Sequence, residues 1–218
     1  MIRSPFRILL CLALLAGSAL QLSGCAGKKV DENDPKEMYE DAEADVKADR
    51  YLVALDKLRI VKSKFSYSKY GALAQLKIGD VYFLQESFPE AAAAYETFVE
   101  LYPRHEQTAY ALFRSGEAYY RDIPATIARD LRSAESAVNA LTQYLNRHPS
   151  GEFVARAREM KGASYNKLAE KELEIARFYL KRKKPLAARQ RLEKILALYA
   201  DSDSAQAAQD LLNHLPNE

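Results

Sequence analysis

The side chains that could carry covalent or acid–base chemistry are two cysteines, three histidines and thirty carboxylates, and their spacing limits what they can do. His105, His148 and His214 stand far apart, and none has a second histidine at helical spacing. A zinc site needs clustered His, Cys or carboxylate ligands, so no metal site is read here and no cofactor is called for. The chain has no Gly-rich phosphate loop and no Gly-x-Ser-x-Gly elbow. With no visible nucleophile or metal, it reads as a protein that is not an enzyme.

Cys25 offers chemistry of another kind. It follows Leu22-Ser23-Gly24 at the end of an apolar run from Ile8 to Leu20, broken only by Gly17 and Ser18, with Arg3 and Arg7 ahead. This is the basic, apolar and small-residue order of a secretory signal. A transmembrane helix needs about 20 apolar residues, more than the run supplies. Either an ordinary signal has a cysteine nearby, or Leu-Ser-Gly-Cys is a lipobox. The end resembles the bacterial lipobox, in which cleavage precedes the cysteine and the thiol is diacylated. That resemblance implies lipidation at Cys25, and Ala26 in place of Asp implies sorting to the outer membrane. The expected organisation is a lipoprotein signal peptide over 1–24, a lipidated cysteine and flexible linker over 25–34, and a helical domain over 35–215.

The 32 basic and 30 acidic residues give a formal charge of +2. Arg3 and Arg7 leave with the signal, which carries no acid, so the remainder is neutral. Nothing in composition then points to nucleic acid. Cys11 leaves too, so no disulfide is expected and stability must come from packing.

The elements that must do the packing repeat. Ala42, Gly79 and Gly116 are spaced by 37 residues, and so are Ala54 and Ala91. Each small residue permits close approach of the next helix, and Tyr51 and Phe88 stand at the turns between helices. Helix pairs of this kind cannot bury their apolar faces alone and must stack. Asp34-Pro35-Lys36-Glu37 reads as the first helix start. The expectation is all-α: an α-solenoid of about five helix pairs, with units at 35–68, 72–105, 109–150, 153–200 and a partial one at 203–215. The third carries an insertion near Asp122 to Ala134, and the fourth an extended first helix.

The pattern resembles the tetratricopeptide repeat: Gly79 and Tyr82 fit its small-then-aromatic pair, Ala91 and Tyr95 its second helix, and Pro103 its closing proline. By the geometry of that repeat, the first helices line a groove through Tyr39, Glu43 and Val46, then Leu76, Asp80 and Phe83, then Phe113, Glu117 and Tyr120. Glu43, Asp80 and Glu117 fall 37 apart. They are either a solvated face or an acidic stripe for an extended peptide. Phe65, Tyr67 and Tyr70 sit in one turn near Lys62, Lys64 and Lys69, and either pack the next repeat or add to that surface. Lys181, Arg182, Lys183 and Lys184 suit a helix C-terminus, but Arg191 lies beyond that run on the next helix.

A sharper resemblance rests on Arg129-Asp130, Ala134, Ala137, Leu141, Leu145 and His148-Pro149-Ser150, then Leu168-Ala169-Glu170 to Ala176-Arg177-Phe178-Tyr179, and Ala187-Ala188 to Tyr199-Ala200-Asp201-Ser202. These stretches resemble the BamD (ComL) family, lipoproteins of the outer-membrane β-barrel assembly machine. The resemblance implies a scaffold on the periplasmic face of the outer membrane, tethered to its lipid by the acyl anchor. It also implies an N-terminal half that contacts unfolded outer-membrane proteins. Arg191 matches a family arginine that pairs with an acid on the barrel-forming subunit BamA, and the run Lys181 to Lys184 would steer that partner. The alternative is another repeat lipoprotein, such as a secretin pilotin or a cell-wall coordination factor.

Overall fold

In a computed structural model, residues 30–215 are described and fold as helices throughout, with no strand among them. The leader, Cys25 and most of the linker lie outside the described residues. Nine helices follow in order: α1 (Pro35–Lys47), α2 (Tyr51–Lys64), α3 (Lys69–Leu84), α4 (Phe88–Leu101), α5 (Thr108–Arg121), α6 (Arg132–Arg147), α7 (Val154–Lys181), α8 (Pro185–Leu198) and α9 (Ala205–Asn213). Each helix packs on the next, and α1 also meets α3 as α5 meets α7. The described chain is therefore a tetratricopeptide-like solenoid of four pairs and a closing helix.

Helix starts follow from local chemistry. The Asp34 carboxylate accepts the Lys36 N–H at 2.8 Å, with Pro35 in the first turn. Ser68 caps α3 through the Gly71 N–H. Asp130 accepts the Arg132 N–H at 3.0 Å, at the start of α6. The turns inside three pairs share one device. Asp49, Glu86 and Lys183 adopt positive φ of 55–57°, with i→i−5 and i→i−3 backbone bonds closing each helix end, as Ser87 N–H to Tyr82 O and Glu86 N–H to Phe83 O. This is the Schellman closure, usually built on glycine.

The small residues on the 37-residue ruler work by close approach. A Cβ at Gly79 would lie 2.8 Å from the Tyr95 ring, and one at Gly116 2.7 Å from Leu141. Ala42, Ala54, Ala91, Ala137 and Ala188 are wholly buried. In the first unit Asp45 stands where an aromatic is usual. It is buried, and Arg50 and Lys57 both reach it at 2.6 Å. The hydrogen bond from Lys57 holds its carboxyl below the usual range, against the opposing effect of burial.

The third unit's two helices are separated by residues 122–131, and α7 runs for 28 residues. The two irregularities belong together. Lys167 donates from α7 to the Ala125 carbonyl at 3.2 Å and Lys171 to that of Arg129 at 2.8 Å. Beneath them Leu131, Ala134 and Leu168 form an apolar cluster with Ile123, Ile127, Val138 and Tyr199. The insertion is thus packed against the middle of α7.

Candidate functional site

The first helices α1, α3 and α5 present a face on which acids and cations alternate. Glu43 accepts the Tyr39 hydroxyl at 3.2 Å and pairs with Lys77 at 3.1 Å. Lys77 also faces Asp80, at 3.8 Å. Asp80 Oδ1 then accepts two phenols from different helices, Tyr95 at 2.8 Å and Tyr110 at 2.9 Å. Arg114 donates to the Tyr95 hydroxyl and to Glu117, and Arg156 of α7 reaches the other Glu117 oxygen at 2.6 Å. The result is one connected ladder from α1 to α7. Burial, and then the Asp80 charge, push the Tyr110 phenol up to about 12, so it is a standing donor. Tyr95 is driven further in the same direction, again first by burial.

This geometry revises the face expected from the sequence. It is not an acidic stripe, because Lys77 stands between Glu43 and Asp80, and Arg114 and Arg156 both pair with Glu117. Glu117 is 6% exposed and is neutralised inside the fold. Phe113 is not a groove residue: it is fully buried, stacked on Phe153 with ring centroids 4.4 Å apart. Tyr39 is nearly buried, with its ring against Tyr70. Phe83 is half-buried beneath the Arg114 guanidinium, 3.7 Å from its centroid, a cation–π contact. Tyr120 is half-buried beside the core of the third unit. Phe65, after α2, and Tyr70, in the first turn of α3, pack on the first core cluster, whereas Tyr67 between them is fully exposed.

The missing cations were within reach of the sequence. Lys77 and Arg114 are themselves 37 apart, each three residues before a stripe acid, a spacing that puts them on the same helix face. Arg156 carries no such signal, since it comes from the extended α7.

The second place of interest is where α7 meets α8. Arg191 Nη1 lies 3.0 Å from Glu172 Oε2, and Lys194 lies 2.5 Å from Glu172 Oε1. Burial opposes ionisation of Glu172, but the hydrogen bonds from Lys194 and Arg191 outweigh it and hold its carboxyl low. Two cations thus share one carboxylate, leaving a net positive charge on side chains 38% and 39% exposed. The sequence singled out Arg191 and missed Glu172, the acid that holds it. Nearby, Lys181, Arg182, Lys183 and Lys184 are all exposed around the α7–α8 turn, with no ion pair to them among the described residues. Arg182 lies over the exposed Phe178 ring. No helix among the described residues is long and apolar enough to cross a membrane, and no group of three metal-ligating side chains occurs among them.

Comparison with known proteins identifies the family. Residues 31–215 match the family model YfiO, an outer membrane lipoprotein family. The chain is similar to the outer membrane protein assembly factor BamD of Caulobacter vibrioides, 30% identical over 185 residues, or 82% of this chain and 60% of that protein. It thus spans less than two thirds of that relative's length. The Vibrio cholerae protein of the same name is 26% identical over 202 residues, covering 87% of this chain and 83% of the relative. That of Neisseria gonorrhoeae is 25% identical over 213 residues, covering 90% and 78%. With a family match spanning every helix of the solenoid, the chain belongs to the YfiO family of outer membrane lipoproteins, the family of BamD.

Proposed function

We propose that this protein is a non-catalytic scaffold of outer-membrane protein assembly, held at the periplasmic face by acylation of Cys25. The C-terminal pairs bind the barrel-forming subunit, and the N-terminal pairs engage unfolded outer-membrane proteins. The names of its relatives support the assembly role. The observation that carries the division of labour is the Arg191–Glu172–Lys194 cluster. Its surplus positive charge stands at the surface, with the guanidinium held in place by one bond to Glu172. A guanidinium has five N–H donors in a fixed fork, so a partner's carboxylate can be received on the remaining ones. The unpaired cations from Lys181 to Lys184 would speed the encounter with an acidic surface.

On the substrate side, the aromatic side chains still offering surface are Phe65, Tyr67, Tyr70, Phe83 and Tyr120. The salt-bridged acids set the shape of that face, and tethering raises the local concentration of both partners. The test is co-purification of the barrel subunit with Arg191→Glu and Arg191→Gln at moderate salt. Both should lose the partner while keeping the helical melting transition. Retention of the partner by a folded Arg191→Glu protein would overturn the assignment.

A further inference from the structure

A second long surface lies between the second helices α4 and α6, with α5 as its floor. Two cavities of about 380 and 630 Å³ share Tyr119 and Ser136 in their walls and form one groove along α5. In the wider part Arg129 and Arg132 balance Asp122 and Asp130. The narrower part is unbalanced: α4 contributes Glu96 and Glu100, and no basic side chain lines it.

These two acids differ from those on the face of α1, α3 and α5. Glu43, Asp80 and Glu117 each touch a cation of the chain. Glu96 and Glu100 pair with none among the described residues. They stand four apart on one helix, where like charges repel. Burial pushes the Glu96 carboxyl up, the Tyr119 hydrogen bond opposes it, and Glu100 adds to it. Tyr119 donates to Glu96 Oε2 at 3.1 Å, and burial, then the Glu96 charge, raise this phenol to about 12. Glu96 Oε1 has no partner among the described residues and stays open to the groove.

The opposite wall is neutral. Asn139 and Gln143 of α6 are exposed, again four apart, and their carboxamides make no hydrogen bond among the described residues. The floor asks for nothing, since the buried Ser115 hydroxyl already donates to the Leu112 carbonyl at 2.9 Å. The spacing of both walls fits one conformation. Residues four apart on a helix stand about 6 Å from each other, and alternate residues of an extended chain about 6.5–7 Å. An extended segment along α5 therefore sets every second side chain against Glu96 and Glu100. Its backbone meets carboxamides that both donate and accept. Of possible side chains there, an anion is repelled and an apolar group dries the acids further, whereas a cation relieves them.

We propose that this groove receives an extended segment of a partner polypeptide with Arg or Lys at alternate positions. Its cations lie on Glu96 and Glu100, and its backbone on Asn139 and Gln143. The site is separate from the Arg191 cluster and does not depend on what that cluster binds.

The test is an NMR titration of the full chain, in non-ionic detergent micelles, with the blocked peptide Thr-Arg-Thr-Arg-Thr. Saturable shifts are expected at the backbone amides of Glu96 and Glu100 and the side-chain amides of Asn139 and Gln143. Thr-Glu-Thr-Glu-Thr should give none. Thr-Arg-Arg-Thr-Thr, whose cations point to opposite sides, should bind about threefold or more weakly. Glu96→Gln combined with Glu100→Gln should weaken binding about fivefold or more. It should also hold or raise the melting temperature, because it removes a repulsion. Asn139→Ala should cost about threefold, and Arg191→Glu should leave binding unchanged. The proposal is overturned if no saturable shift occurs at these residues, or if the acidic peptide or spermidine binds there as tightly as the arginine peptide. It is overturned equally if the double Gln variant binds like the parent. Should that variant melt early, Asn139→Ala and the peptide with adjacent arginines decide alone.

Discussion

Replacing Glu117 by Gln keeps the shape of the side chain and removes the charge that Arg114 and Arg156 share at 2.8 and 2.6 Å. Arg156 is 53% exposed, so water compensates most of its loss and its share is small. Arg114 is 19% exposed and held over Phe83, so its guanidinium stays in a partly dry site without its counter-charge. Removing one partner of a fully buried pair costs about 3–5 kcal/mol. Scaled for the exposure of Arg114 and the amide oxygen that remains, the expected cost is about 2 kcal/mol. For a domain of this size that is a fall of about 4–8 °C in Tm. Thermal and urea melts of the parent, Glu117→Gln, Arg114→Met and the double variant would measure it. The double variant should be less destabilised than the sum of the singles, because it no longer leaves the Arg114 charge in a partly dry site. A Glu117→Gln loss below about 0.5 kcal/mol, within the range of ordinary surface changes, would refute the reasoning. The ladder would then be a solvated face after all.

Glu86 adopts φ 57° at the α3–α4 turn, so Glu86→Gly should raise stability by about 0.5–1 kcal/mol, read as a higher urea midpoint. The carboxyls of Asp45 and Glu172 are held below their ordinary values of 3.8 and 4.5. Their contribution is fully present above those values and is lost as pH falls through the lower folded ones. Acid unfolding of Asp45→Asn should therefore be less steep below about pH 4 than that of the parent, measured by circular dichroism. Cys25→Ser should release the protein from membranes on fractionation while leaving its melting curve unchanged.

The repeat was legible because its signal is local and periodic. Gly79 and Gly116 mark the same contact on the same ruler, and the fold places Tyr95 and Leu141 against them. Phe113 was misread because its cover, Phe153, comes from the start of the lengthened α7. The regular repeat geometry leaves that position open, so only a long-range contact reveals that it is closed. Arg156 was invisible for the same reason. The three left-handed turns were hidden in another way: Asp49, Glu86 and Lys183 carry a conformation that glycine normally announces. Arg191 could be singled out by its place on α8, but its sharing of Glu172 with Lys194 joins residues 19 and 22 positions away.

The clasp of Lys167 and Lys171 on the carbonyls of Ala125 and Arg129 bears on how such an array can change length. A repeat array grows or shrinks by duplicating or losing a unit, provided each unit touches only its neighbours through the standard face. Between α1 and α4 that condition holds, and a copied pair would find matching surfaces on both sides. From α5 to α8 it fails. A duplicated third unit would present an insertion with no long helix to receive it, and a lost fourth unit would strip Phe153 and Arg156 from Phe113 and Glu117. These two pairs are one indivisible module, so a pair could be gained or lost without breaking contacts only between α1 and α4.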